Sequence, residues 1–192
     1  MNLLFNCYIL VFLISAGVST NSYAQTVKKI EKETDKAIIW TTDRKLKLTD
    51  FQGDIDSTST KKALTGANII IVPYAYKNGV YEYCVLAKFH KDLSWINTDN
   101  VHIINHEQLH FDIAELYARK MRREIQAKKH KVGQILESDY RRIHKNLFQS
   151  YIQFQMRYDS HTGHSTNLEE QQRWHGIIAE ELHKLDDFNL NL

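Results

Sequence analysis

The sequence predicts an α+β domain: a small, mainly antiparallel sheet packed against one long helix, with two further helices. Three observations carry that prediction. Two alternating stretches flank Asn78-Gly79, the signal of a tight hairpin. From Val101 onward the apolar residues recur at steps of three and four, the period of a helix face. Gly133 then interrupts this pattern, which resumes in two more helical stretches.

The 192 residues suit one domain with a proper core, and a 43% hydrophobic content is ordinary for a folded chain. The first residues stand apart. Leu3 to Val18 is apolar and uncharged, and Ser22-Tyr23-Ala24 ends in a small residue like a signal-peptidase site. Residues 1–24 are therefore expected to be a cleaved signal peptide, leaving 25–192 as a single exported domain, periplasmic or secreted. The apolar run is shorter than the roughly 20 residues of a membrane span, so no stable span is expected after cleavage. Removing the leader takes Cys7 with it and leaves Cys84 alone, so the domain can form no internal disulfide. The net charge of +2 survives cleavage and argues against nucleic acid as a partner.

The elements follow in order. Gln25 to Lys36 reads as a polar linker, and Ala37 to Thr42, with Ile38, Ile39 and Trp40, as a first short strand. Asp54 to Lys62 is a polar loop. Ala67 to Tyr76 is strand-like, with Pro73 marking an edge or a bulge because it lacks a ladder donor. Val80 to His90 is the return strand, with Tyr81, Tyr83, Val85, Ala87 and Phe89 on one face. Asp99 and Asn100 are cap candidates for a helix from Val101 to about Lys128. The second helix carries Leu136, Tyr140, Ile143, Leu147, Tyr151 and Phe154 on its apolar stripe. Tyr158 to Ser165 reads as a polar loop. Thr166 with Glu169 forms a capping box for the third helix, whose core face holds Trp174, Ile178, Leu182 and Leu185.

The chemistry concentrates in His106-Glu107-Gln108-Leu109-His110. On a helix, positions four apart share a face, so His106 and His110 can hold one zinc ion, with Glu107 as general base toward an attacking water. Ile103, Ile113, Ala114, Tyr117 and Met121 lie on the same stripe, so the face points inward. Buried imidazoles are costly unless a metal or a hydrogen-bond partner satisfies them. A catalytic zinc takes a third protein ligand. His161 and His164 in the loop are candidates, as are Glu169, Glu170 and Glu180 on the last helix. Leu116 stands where the longer motif of some zinc proteases places a third histidine. Asp112 and Glu115 point away from the imidazole face, as surface groups or supports. Tyr158 is a candidate oxyanion donor or a packing aromatic, and Asp159 or Asp112 a partner for a ligand imidazole.

The chain resembles a family of bacterial secreted proteins regarded as predicted zinc-dependent proteases, the domain of unknown function DUF922. The resemblance rests on Trp40; on Leu48-Thr49-Asp50-Phe51-Gln52-Gly53; on Phe89 with Ser94-Trp95; on the run from His106 to Glu115 with Arg119; on Tyr158-Asp159 with Thr162 and His164; and on Gln172 with Trp174. It implies His106 and His110 as zinc ligands, Glu107 as catalytic base and His164 as third ligand. The chain departs from the pattern at Ser165, where the family carries glycine. The expectation is a zincin-like domain acting as an exported metallopeptidase on a peptide or cell-envelope substrate. A substrate strand would pair with the edge of the hairpin. The alternative is a non-catalytic envelope-binding protein that zinc stabilises.

Overall fold

The computed structural model describes residues 30–77 and 80–190. The leader at 1–24 and the Asn78-Gly79 turn lie outside the described residues. The strands are β1 (Ala37–Ile39), β2 (Ala63–Leu64), β3 (Ala67–Lys77), β4 (Val80–His90) and β5 (Trp95–Ile96), and the helices α1 (Val101–Val132), α2 (Glu137–Thr162) and α3 (Leu168–His183). Both sheets are antiparallel: β1-β4-β3 in one and β2-β5 in the other. The class is α+β, as the sequence predicts.

Lys77 pairs with Val80, so β3 and β4 form the expected hairpin. Pro73 does what its missing N–H requires. It lies on the outer strand, and the register shifts between Pro73 and Ala75. Val85, Ala87 and Phe89 of β4 are buried together with Leu109, Phe111 and Ile113 of α1. Phe89 and Phe111 meet ring to ring at 5.7 Å.

Helix α1 is the hub. It touches the sheet through β3 and β4 and also touches α2 and α3. Residues 106–119 are buried apart from the partly covered His110, which explains why so many of them are apolar or, if polar, paired. Asn100 caps α1, its Oδ1 accepting from His102 N at 2.9 Å. Gly133 stops it at φ +76°, where a side chain would be strained.

Two boundaries differ from the sequence reading. The stretch from Tyr158 to Thr162 is not loop but the last turn of α2, ended by Gly163 in the left-handed conformation. Tyr158 is fully buried, and Thr162 Oγ1 donates to its carbonyl at 2.8 Å, so packing holds a polar sequence in the helix. The cap of α3 is Asn167, whose Oδ1 accepts from Glu170 N at 3.1 Å. Thr166 instead donates to Gly163 O at 2.8 Å.

Candidate functional site

Helices α1 and α2 pack together, and each contributes residues one turn apart. From α1 come His106 and His110; from α2 come Gln155 and Asp159. The two imidazoles direct their Nε2 atoms to one point, 3.2 Å from each other. Asp159 Oδ1 lies there too, 3.1 Å from His106 Nε2 and 2.9 Å from His110 Nε2. These three atoms form a group able to hold a metal ion. Tetrahedral ligands about 2.0–2.1 Å from a zinc sit about 3.3 Å apart, so the observed spacings fit within a few tenths of an ångström.

The far side of each imidazole is handled differently. His110 Nδ1 meets Gln155 Oε1 at 2.5 Å, and Gln155 Nε2 donates back to His110 O at 2.9 Å. This two-point clamp favours a proton on Nδ1 and turns Nε2 toward Asp159. His106 Nδ1 is buried with no partner among the described residues. Burial is the strongest single influence on His110 and favours its neutral form. The Asp159 bond, the Glu107 charge and the Gln155 bond together outweigh it and leave the imidazole above its ordinary value. For Asp159 burial again opposes ionisation, but the two histidines hold the carboxyl well below the usual carboxylate range.

Glu107 is buried in the protein wall yet lines the same cavity, of about 240 Å³, as His106, His110 and Asp159. Its carboxylate has no hydrogen-bond or ion-pair partner among the described residues. Thr65 Oγ1 holds the Glu107 backbone carbonyl at 3.3 Å, tying the 61–65 segment to the motif helix.

The other expected site residues fall at varying distances from this centre. His164 lies outside the three-atom group but lines the same cavity. Its side chain is 56% exposed, and its Nδ1 lies 3.2 Å from the other Asp159 oxygen, Oδ2. His164 and Ser165 take φ values of +51° and +75°, a conformation that glycine tolerates best, and both line the cavity. Tyr158 does not offer its hydroxyl to the cavity. The hydroxyl donates to His106 O at 3.4 Å, and the ring stacks on His106 at 4.6 Å and meets His110 edge-on at 4.9 Å. It is a wedge behind both imidazoles, and burial raises its hydroxyl far above the ordinary tyrosine value.

Asp112 does not reach an imidazole either. Its Oδ1 accepts from Trp40 Nε1 at 2.7 Å and Gln108 Nε2 at 2.8 Å, while Gln108 Oε1 accepts from Leu46 N at 2.7 Å. The three side chains strut α1 against the segment after β1. Glu115 is neither surface nor imidazole support but a buried partner of Arg119 and Arg122. His161 faces Trp174, Glu170 pairs with Arg173, and Glu180 pairs with Lys184, all away from the centre. Glu169 lies exposed in the first turn of α3.

The hairpin edge is not open to a substrate strand at its inner end. Tyr151 Oη donates to Ala67 O at 3.1 Å and His144 Nε2 lies 3.0 Å from Ile69 O, so α2 covers those carbonyls of β3. Asp159 as a direct member of the centre and Gln155 as its support were missed. Their signal was the four-residue step between them, hidden because the helix was ended before Tyr158.

Fold and centre thus define an α+β domain with a His-His-carboxylate cluster built between a His-Glu-x-x-His helix and its neighbour α2. Residues 90–165 match the family model described as "Bacterial protein of unknown function (DUF922)", a stretch that holds the whole cluster and bears out the family assignment. No curated protein and no solved structure matches the chain.

Proposed function

We propose that this protein is an exported zinc-dependent hydrolase, most simply a peptidase, with Glu107 as its general base. The observation that carries this reading is the convergence of His106 Nε2, His110 Nε2 and Asp159 Oδ1 within 3.2 Å of one another, on a cavity wall shared with Glu107. Two imidazoles and one carboxylate are a donor set suited to catalytic zinc. A bound zinc would supply a Lewis acid for the scissile carbonyl and lower the pKa of a water. His106, His110 and Asp159 would hold it, with Gln155 and the Tyr158 ring fixing the imidazole planes. Glu107 takes the proton of the attacking water and returns it to the leaving nitrogen. The apolar leader is the sequence feature that supports export. Among the described residues no helix is long and apolar enough to cross a membrane.

A second reading has one observation in its favour. The cluster joins α1 to α2, so a metal there would also cross-link the two helices, as in a zinc-stabilised envelope-binding protein. The Glu107→Gln variant separates the two. The expected outcome is one equivalent of zinc in both forms by elemental mass spectrometry, and loss of at least about 100-fold in cleavage of a peptide library by the variant. Zinc retained by a wild-type protein that cleaves nothing would favour the stabilising role. A folded protein that takes up no zinc would end both readings.

A further inference from the structure

The cavity over the centre has two chemically different ends. Lys61 Nζ lies 3.5 Å from Asp159 Oδ2, and Tyr151 Oη bonds to Ala67 O. These two contacts run the 61–67 segment antiparallel to α2, because its start meets residue 159 and its end meets residue 151. At 1.5 Å per helical residue the two ends are roughly 12 Å apart. Lys61 and His164 mark the first end, both on the cavity wall and both facing Asp159 Oδ2. Ile152 lies toward the second and Leu64 midway along the segment, both on the wall, and each is 41% exposed. Such side chains gain by burying an apolar group.

Charge sharpens the contrast. The wall carries four charged side chains, Lys61, Lys62, Glu107 and Asp159, which cancel. A divalent metal on the cluster leaves a surplus of two positive charges and competes with Lys61 for Asp159. The Lys61 ammonium, 41% exposed, is then free to receive another anion. The small volume suits a side chain or a chain terminus rather than a polyanion.

We infer that the cleft selects a substrate with a carboxylate on one side of the scissile bond and an apolar group on the other. Lys61, beside Lys62, receives the carboxylate; Leu64 and Ile152 receive the apolar group. The inference rests on the metal-hydrolase reading and names its substrate class.

The test uses the full chain loaded with Co²⁺, whose visible spectrum reports a ligand at the metal. Two hydroxamates of equal length are titrated: the monohydroxamate of succinic acid and its primary amide. The acid is expected to bind about tenfold tighter at low ionic strength, a preference that salt erodes. Lys61→Gln removes the preference and Lys61→Glu inverts it. Butyrohydroxamate is expected to bind several-fold tighter than acetohydroxamate, and Ile152→Asp removes that gain. Equal affinity for acid and amide in a Co²⁺-loaded protein overturns the carboxylate assignment alone. A loaded protein indifferent to chain length overturns the apolar one. Failure to take up Co²⁺ overturns the metal reading and this inference with it.

Discussion

Helix α1 carries two buried polar clusters, and they are built on opposite plans. Downstream, the buried charges are matched. Arg119 Nε donates to Glu115 at 3.0 Å, and its Nη1 donates to Leu182 O and Asp186, each at 2.8 Å. Arg122 Nη2 reaches both Glu115 oxygens at 2.8 Å, and the Trp40 ring lies 5.3 Å from the Arg119 guanidinium. Upstream, two imidazole nitrogens share one carboxylate oxygen, His106 Nδ1 has no partner, and the Glu107 carboxylate is left free among the described residues. Buried polar groups are normally satisfied, so a saturated network reads as architecture and an unsaturated one beside a cavity reads as a site. Burial lifts the Glu115 carboxyl above its ordinary value even against two arginines, a measure of what the saturated cluster must overcome.

The largest effect should come from breaking the saturated cluster. Arg119→Met takes one donor from Leu182 O, which keeps Leu185 N, and leaves buried Glu115 with one arginine, and should cost about 3 kcal/mol in a denaturant titration. Metal bound per folded molecule should not change. Loss of the metal along with stability would show that the two clusters are one unit.

A smaller effect is expected upstream. Gln155→Leu removes both halves of the His110 clamp and should weaken zinc binding roughly 10- to 100-fold in competition with a chromophoric chelator. Gln155→Glu, which keeps the acceptor for His110 Nδ1, should restore most of the affinity. Zinc binding as tight in Gln155→Leu as in the wild type would place Gln155 with the architecture.

The smallest effect belongs to a partly buried cluster near the surface that bounds the comparison from outside. Arg44 grips Glu33 at 2.9 Å through both Nε and Nη2, and Lys91 Nζ lies 2.7 Å from Glu33 Oε1. The Arg44 bond first, then the Lys91 bond, hold the Glu33 carboxyl down at about 2, against an ordinary 4.5. The folded state thus gains from the ionised form. That gain is whole above pH 4.5 and is lost as pH falls toward 2. Glu33→Gln should flatten that part of the stability-versus-pH curve, read as melting temperature. The side chain is 40% exposed, so solvent screening keeps the change small.

Much of this was legible in the residues. The hairpin followed from alternation around Asn78-Gly79, the bulge from Pro73, the start of α1 from Asn100, and the central pair from the four-residue step between His106 and His110. These are local signals, set by turn geometry, a missing donor, a cap and the helical period. The end of α2 was not legible, because Tyr158, Asp159 and Ser160 are polar or turn-forming and only the burial of Tyr158 and Thr162 keeps them helical.

The sequence by itself determined the hairpin, the three helices in order, and two imidazoles and a carboxylate on one helix, because each depends on neighbours within one or two turns; the small β2-β5 sheet was not legible in it. Only the tertiary structure decided what meets those imidazoles. Packing α2 against α1 put Asp159 between the Nε2 atoms, Gln155 behind His110 and the Tyr158 hydroxyl against a carbonyl, and it left His164 outside. Such contacts join residues some fifty positions apart, whose meeting depends on how two helix faces bury one another rather than on any local pattern.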